Sequence, residues 1–222
     1  MKTFEIEVDV RSPAVQAGAR SHVYGRLAEI LAFPTAKLAD ALASGEWLAE
    51  VAAMASHLPF DWPLADGDGV LNGGSITQER MEAEYIRLFE VGAGRPFCPL
   101  YEGSHRSGRM KIMEELVRFY EHFGLLAAAG DQPDHVCAEL EFMHYLAFKQ
   151  AAAISAGADA GGLMLAQKEF IERRLCRWLP QVAALVASAE AARFYRPATA
   201  LASEFCRLDL GWLKAMSGKS VL

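Results

Sequence analysis

Residues 130 to 150 read GDQPDHVCAELEFMHYLAFKQ and set His135, Glu139, Glu141 and His144 along one predicted helix. Imidazoles and carboxylates at these intervals could hold a metal, move protons or meet a cationic partner. Side chains four apart share a helix face, so His135 is expected beside Glu139, while Glu141 and His144 form a second pair three apart. At about 100° per residue, Glu139 and Glu141 lie about 200° apart, so the two pairs cannot line one small site. Ahead of them, Asp131 is placed as an N-cap, Pro133 suits a first turn that needs no donor, and Asp134 complements the helix dipole. Helix initiation therefore accounts for Asp-Gln-Pro-Asp by itself, and on spacing alone His135 reads as a first-turn surface histidine.

Glu141 and His144 also form Glu-x-x-His, the ligand motif of di-iron helical bundles, which use two such motifs plus two further glutamates. A second copy stands at Glu102 and His105, but the surrounding YEGSHRSG predicts a loop, where the two side chains would not share a face. A di-iron carboxylate enzyme is the rival that these residues leave open. The same loop places Glu102, Ser104 and His105 together, yet it has no Gly-x-Ser-x-Gly elbow, and adjacent Ser and His side chains diverge. Cys98 with His105 lacks any thiol-protease signature. GAGRPF lacks the Gly-Lys-Ser/Thr ending of a phosphate loop. With no catalytic set, no metal and no cofactor indicated, the profile is that of a binding protein.

The elements that must position these residues are helical. The chain has 222 residues, with 22 Lys and Arg against 28 Asp and Glu, a net charge of -6. That balance speaks against nucleic acid and for a cationic partner. Four cysteines without a Cys-x-x-Cys pair fit a reducing compartment. The acidic N-terminus is neither a signal nor a transit peptide, and no apolar run approaches the roughly 20 residues needed to span a bilayer, so a cytoplasmic protein without membrane insertion is expected. Phe4, Ile6, Val8 and Val10 alternate with acids as in a strand, but no partner strand is evident, so residues 1–14 are expected to be a loose or dimer-pairing tail.

Helical periodicity predicts helices over 15–33, 35–43 and 46–57. The Gly-, Pro- and Asp-rich stretch 58–75 is the candidate hinge within a single all-α domain. Ser75 or Thr77 caps a helix running to about 90, with Met81, Tyr85, Leu88 and Phe89 on one face. A break over 91–108 and a helix over 109–123 follow, with Gly124 just past its end. After the Asp-Gln-Pro-Asp helix, a long segment over 163–188 should kink or divide at Pro180, and a last one over 189–213 should bend or restart at Pro197.

Three blocks carry a family likeness: EYIRLFEVGAGRPFCPLYEG, then VRFYEHFGLLAAAGDQPDHVCAELEFMHYL, then FIERRLCRWLPQVAALVASAEAARFYRPATALASEFC. In this order they resemble the TorD/DmsD/NarJ family, the cytoplasmic chaperones of molybdenum-cofactor oxidoreductases, over about residues 77–208. The resemblance implies an all-helical bundle that binds the catalytic subunit and its twin-arginine leader, assists cofactor insertion and delays export, as a monomer or a homodimer. It implies leader recognition at Pro133, Asp134 and His135. Tyr85, Leu88 and Phe89 match the family's Tyr-x-x-Leu-Phe block, and Pro99 and Tyr101 its proline-to-tyrosine loop. Some members are reported to bind guanine nucleotide, which the absent phosphate loop leaves open here. Arg174 stands where the family often has a histidine. FCPLYEGSHR points to the subgroup serving dimethyl sulfide, ethylbenzene, selenate or chlorate enzymes.

A twin-arginine leader presents two guanidinium groups ahead of an apolar stretch, so its binder needs carboxylates beside an apolar groove. Asp134, with Glu102 or Glu139, is expected to meet the arginines. Tyr85, Phe89, Tyr101 and Phe142 are expected to form groove wall, and His135 to add pH sensitivity near neutrality.

Overall fold

The computed structural model describes residues 12–64, 71, 76–91, 96–126, 132–190 and 192–219, and among these the regular structure is helical, with no β-strand. The alternating segment at 4–10 and most of the glycine-rich part of the candidate hinge lie outside the described residues. In chain order the helices are α1 (Pro13–Leu31), α2 (Ala36–Ala43), α3 (Glu46–Ala55), α4 (Gln78–Tyr85), α5 (Glu102–His105), α6 (Arg109–His122), α7 (Val136–Ser155), α8 (Gly161–Arg173), α9 (Leu175–Ser188) and α10 (Tyr195–Lys219). The starts follow local chemistry. Pro13 opens α1, and the Thr35 and Thr77 hydroxyls accept from Leu38 N and Arg80 N at the starts of α2 and α4. Gly124 follows α6 with φ +77°, the left-handed conformation expected of a residue just past a helix end. The helix expected to reach residue 90 does so, but its last turn, Ile86–Glu90, is a widened π turn.

Three expectations are corrected. The segment 163–188 divides at Arg174 (φ -116°, ψ -97°) rather than at Pro180, which sits on the exposed side of α9 while the helix continues through it. Arg174 turns inward to two carboxylates, and that pull, rather than a missing N–H, marks the break. The last helix starts once, at Tyr195, so Pro197 falls in the first turn, where no donor is required. Glu84 Oε1 accepts from Phe194 N at 3.0 Å and Tyr195 N at 2.9 Å, fixing that start from α4. Finally, Glu102–His105 is one turn of helix, not open loop.

Helices α1 and α7 form the centre and run antiparallel, since Arg20 meets Gln150, Ser21 meets His144 and Ala28 meets Cys137. Close approach uses small residues: a Cβ on Gly25 would lie 3.4 Å from His144 Nδ1. Around this pair α8, α9 and α10 close one hydrophobic core that runs from Val23 to Leu213. Its centre also holds a buried polar network. Arg20 donates to both oxygens of Asp209 at 2.5 and 2.9 Å, to Gln150 at 3.0 Å and to Gln167 at 2.7 Å, and Tyr24 adds a hydroxyl to Asp209 at 2.7 Å. Four helices are thereby locked in one register at the end of α7 remote from His135.

Candidate functional site

The stretch expected to begin a helix at Asp131 is instead a turn. Asp131 lies outside the described residues, Pro133 and Asp134 form the turn, and α7 starts only at Val136. The residue before a proline is pushed out of helical conformation, which delays the start. His135 is extended (φ -77°, ψ 140°) and is itself the N-cap, its Nδ1 accepting from Cys137 N at 3.2 Å. An accepting Nδ1 carries no proton, so the neutral ring keeps its hydrogen on Nε2. Burial also lowers the His135 pKa from its ordinary value, against the partial counter-effect of Asp134. Main-chain bonds from Glu102 N to Asp134 O (2.8 Å) and Val136 N to Leu100 O (2.9 Å) stitch this turn to the proline-to-tyrosine loop. Tyr101 and His135 face each other across that bridge with ring centroids 5.0 Å apart.

Beneath the turn lie the three carboxylates expected to meet a cationic ligand. Asp134, Glu102 and Glu139 are each 0% exposed. Asp134 accepts from Gly103 N at 3.2 Å and lies 3.5 Å from Arg109 Nε. Glu102 is paired with Arg106 and, at 3.5 Å, with Arg174. Glu139 accepts from Trp178 Nε1 at 3.2 Å. Burial raises the pKa of Glu139 well above the usual carboxylate range and neighbouring Glu102 pushes the same way; burial raises that of Glu102 against the pull of Arg174 and Arg106. One oxygen on each of the three is buried without a hydrogen bond. Glu139 N donates to His135 O at 3.2 Å, but as an extended cap His135 cannot be counted in the α7 rotation: it lines the pocket described next, whereas Glu139 is buried against Trp178.

Above this layer is a pocket of about 590 Å³ lined by Tyr101, Tyr120, Pro133, His135, Glu141, Phe142 and Tyr145, with Leu125 and Leu126 at its edge. Of the expected groove residues, Tyr101 and Phe142 are therefore in the wall. Tyr85, Leu88 and Phe89 are not; they are core residues, with Tyr85 and Phe89 packed on Tyr195 at 5.7 and 4.9 Å. Pro99 contributes its carbonyl, which accepts from His105 Nε2 at 2.6 Å, and His105 stacks on Trp178.

Sequence reasoning missed Tyr120, Tyr145 and Arg109, and it singled out Glu141 and Arg174 without giving either a role in this site. The α7 contributors were legible, because Ala138, Glu141, Phe142 and Tyr145 recur every three to four residues. The arginines carried no local signal; Arg174 bridges Glu102 and Glu115 from across the fold. The two Glu-x-x-His motifs do not converge on one ion. Glu102 is held by arginines, His105 by a carbonyl, and the His144 ring donates Nδ1–H to Ser21 O at 2.8 Å on the α1 side.

Comparison with known proteins gives a consistent outcome. The nitrate reductase delta subunit family profile matches residues 37–184. A selenate reductase assembly chaperone protein of Thauera selenatis is 38% identical over 146 residues, 64% of this chain and 75% of its own. A chlorate reductase assembly chaperone protein of Ideonella dechloratans is 39% identical over 145 residues, 63% of this chain and 74% of its own. A perchlorate reductase assembly chaperone protein of Dechloromonas aromatica (strain RCB) is 34% identical over 197 residues, covering 84% of this chain and 86% of that protein. The chain therefore belongs to the nitrate reductase delta subunit family, the NarJ/TorD group that its three sequence blocks resemble.

Proposed function

We propose that this chain is an assembly chaperone, without catalysis of its own, for the catalytic subunit of a molybdenum-cofactor oxidoreductase. In this reading it works in the cytoplasm, holds the subunit while cofactor is inserted, and delays export by occupying the twin-arginine leader. The similarity to proteins named as selenate, chlorate and perchlorate reductase assembly chaperones supports the broader role. The observation that carries leader binding is the pocket of about 590 Å³ on the Pro133-Asp134-His135 turn. It offers aromatic and aliphatic walls for an apolar segment, an Nε2–H on His135 for a peptide carbonyl, and one acid, Glu141, among its described lining residues. Pro133, His135, Tyr101 and Phe142 touch the peptide in this reading. Asp134, Glu102, Glu139 and Pro99 hold the turn and loop in place, and Tyr85, Leu88 and Phe89 anchor the core that carries them.

Isothermal titration of the purified protein with a synthetic peptide carrying two adjacent arginines ahead of an apolar segment tests the reading. Saturable binding is expected, weakened when both arginines are replaced by glutamine. Equal binding of the two peptides, or none of either, refutes leader recognition. Capture of the catalytic subunit of a molybdoenzyme from extracts, and its loss on filling the pocket with Ala138→Trp, tests the chaperone role separately.

A further inference from the structure

Two of the three carboxylates below the pocket are already paired with the chain's own cations, Asp134 with Arg109 and Glu102 with Arg106 and Arg174, while Glu139 accepts from Trp178 Nε1. Arg109 lies over Asp134, donates to Gln132 Oε1 at 2.9 Å and places its guanidinium 5.9 Å from the Tyr101 ring centroid. Gly103 seals the other side, since a Cβ there would come within 2.9 Å of both Asp134 Oδ2 and Arg109 Cβ. A peptide guanidinium reaching Asp134 would have to expel Arg109 and open a fully buried group. Glu102 and Glu139 lie equally deep.

Glu141 is different. It is exposed, lines the pocket beside Phe142 and Tyr145, and has no ion pair or hydrogen bond among the described residues. It is the one carboxylate among the described lining residues, and the rings of Tyr101, Tyr120 and Tyr145 surround the same space. A guanidinium is planar and stacks on aromatic faces while donating to a carboxylate, so an aromatic pocket with one free acid matches it in both shape and charge.

We propose that Glu141, and not Asp134, receives an arginine of the bound leader, and that Arg109 stays in place as the internal counter-ion of Asp134. The inference rests on leader binding as proposed above and names the specificity-determining contact within it. Glu141 touches the ligand directly, whereas Asp134 acts as a positioning residue through the turn that presents His135.

The test is a double-mutant cycle by calorimetry with the full chain: wild type and Glu141→Gln, each against the double-arginine peptide and against two peptides with one arginine replaced by glutamine. Glu141→Gln is expected to weaken the double-arginine peptide about tenfold, the lower end for hydrogen bonds to a charged group at a partly hydrated site. It should cost nothing further with the one peptide that lacks the partner arginine. Glu114→Gln, which alters an exposed acid on α6 paired with Arg118, should change no affinity. If wild type binds the peptide and Glu141→Gln binds it equally well, the Glu141 assignment falls while leader recognition stands. The same holds if Glu141→Gln weakens all three peptides alike. If wild type binds none of them, both fall together.

Discussion

Replacing Asp209 by alanine isolates the contribution of the central polar network. Arg20 and Asp209 are each 0% exposed, so the substitution leaves a guanidinium in the core with no counter-charge, held by the Gln150 and Gln167 carbonyl oxygens and the Trp212 ring, 4.8 Å away. It also removes the acceptor of the Tyr24 hydroxyl. Removing one partner of a buried ion pair costs about 3–5 kcal/mol, because the remaining charge is uncompensated. For a chain of 222 residues each kcal/mol moves Tm by about 2–4 °C, so a fall on the order of 10 °C is expected. Urea denaturation followed by circular dichroism gives the free energy, and a melt gives Tm. Arg20→Met with Asp209→Leu removes both charges and should recover most of the loss, because an apolar pair of similar volume avoids the desolvation penalty. The network joins α1, α7, α8 and α10 away from the His135 end of α7, so peptide affinity of the folded fraction should be unchanged in both variants. A loss below about 1 kcal/mol for Asp209→Ala would show that the cation is solvated or repaired on removal of its partner, and would refute the reasoning.

Other outcomes follow from the site. Glu139 has its pKa raised above the unfolded value, so the folded state holds its proton while the unfolded state loses it. The stability this provides is complete below the ordinary carboxylate pKa of about 4.5 and is lost as pH rises toward the raised folded value. Glu139→Gln should therefore flatten the decline in stability above that pH and raise the neutral-pH melt; an unchanged pH profile contradicts a proton on Glu139. His135 has its pKa lowered, so its capping contribution is present above the ordinary 6.5 and is lost as pH falls through the lower folded value. His135→Ala should cost about 1 kcal/mol at pH 7.5 in urea titrations, and wild-type leader affinity should be flat from pH 7 to 8. Gly103→Ala should force Asp134 or Arg109 to shift and cost about 1–3 kcal/mol, read as a lower denaturation midpoint.

How much of this was legible in the sequence depended on the range of the interaction. The all-α class, the Thr77 cap and the Gly124 stop rest on residues within four positions of one another, and they are found where periodicity places them. The errors came from long-range partners. Pro180 is a strong local breaker, but Arg174 decides the division because Glu102 and Glu115 draw its side chain inward from elsewhere in the chain. His135 seemed to share a face with Glu139 only on the assumption that it was helical. As a cap tied to Tyr101 it belongs with Glu141, Phe142 and Tyr145. Tyr85 and Phe89 seemed suited to a binding wall because they are aromatic and regularly spaced, yet the same pattern equally describes a core face.

The internal pairing of the buried carboxylates bears on release as well as binding. A chaperone has to give its client up, and a site whose buried charges were completed only by the client would resist doing so. Withdrawal of the ligand arginine would strand an unpaired buried carboxylate, at a cost of several kcal/mol. Here Glu102 is paired with Arg106 and Arg174, and Asp134 with Arg109, within the chain itself. If the leader arginine sits on Glu141 as proposed, the charge left uncovered on departure is an exposed one, which water solvates readily. With Glu102 and Asp134 paired inside the chain, the proposed ligand contacts are the apolar wall, the His135 Nε2–H and one exposed acid. Such a combination favours reversible recognition, and exchanging Glu141 for a buried or pre-paired acid would alter dissociation more than association.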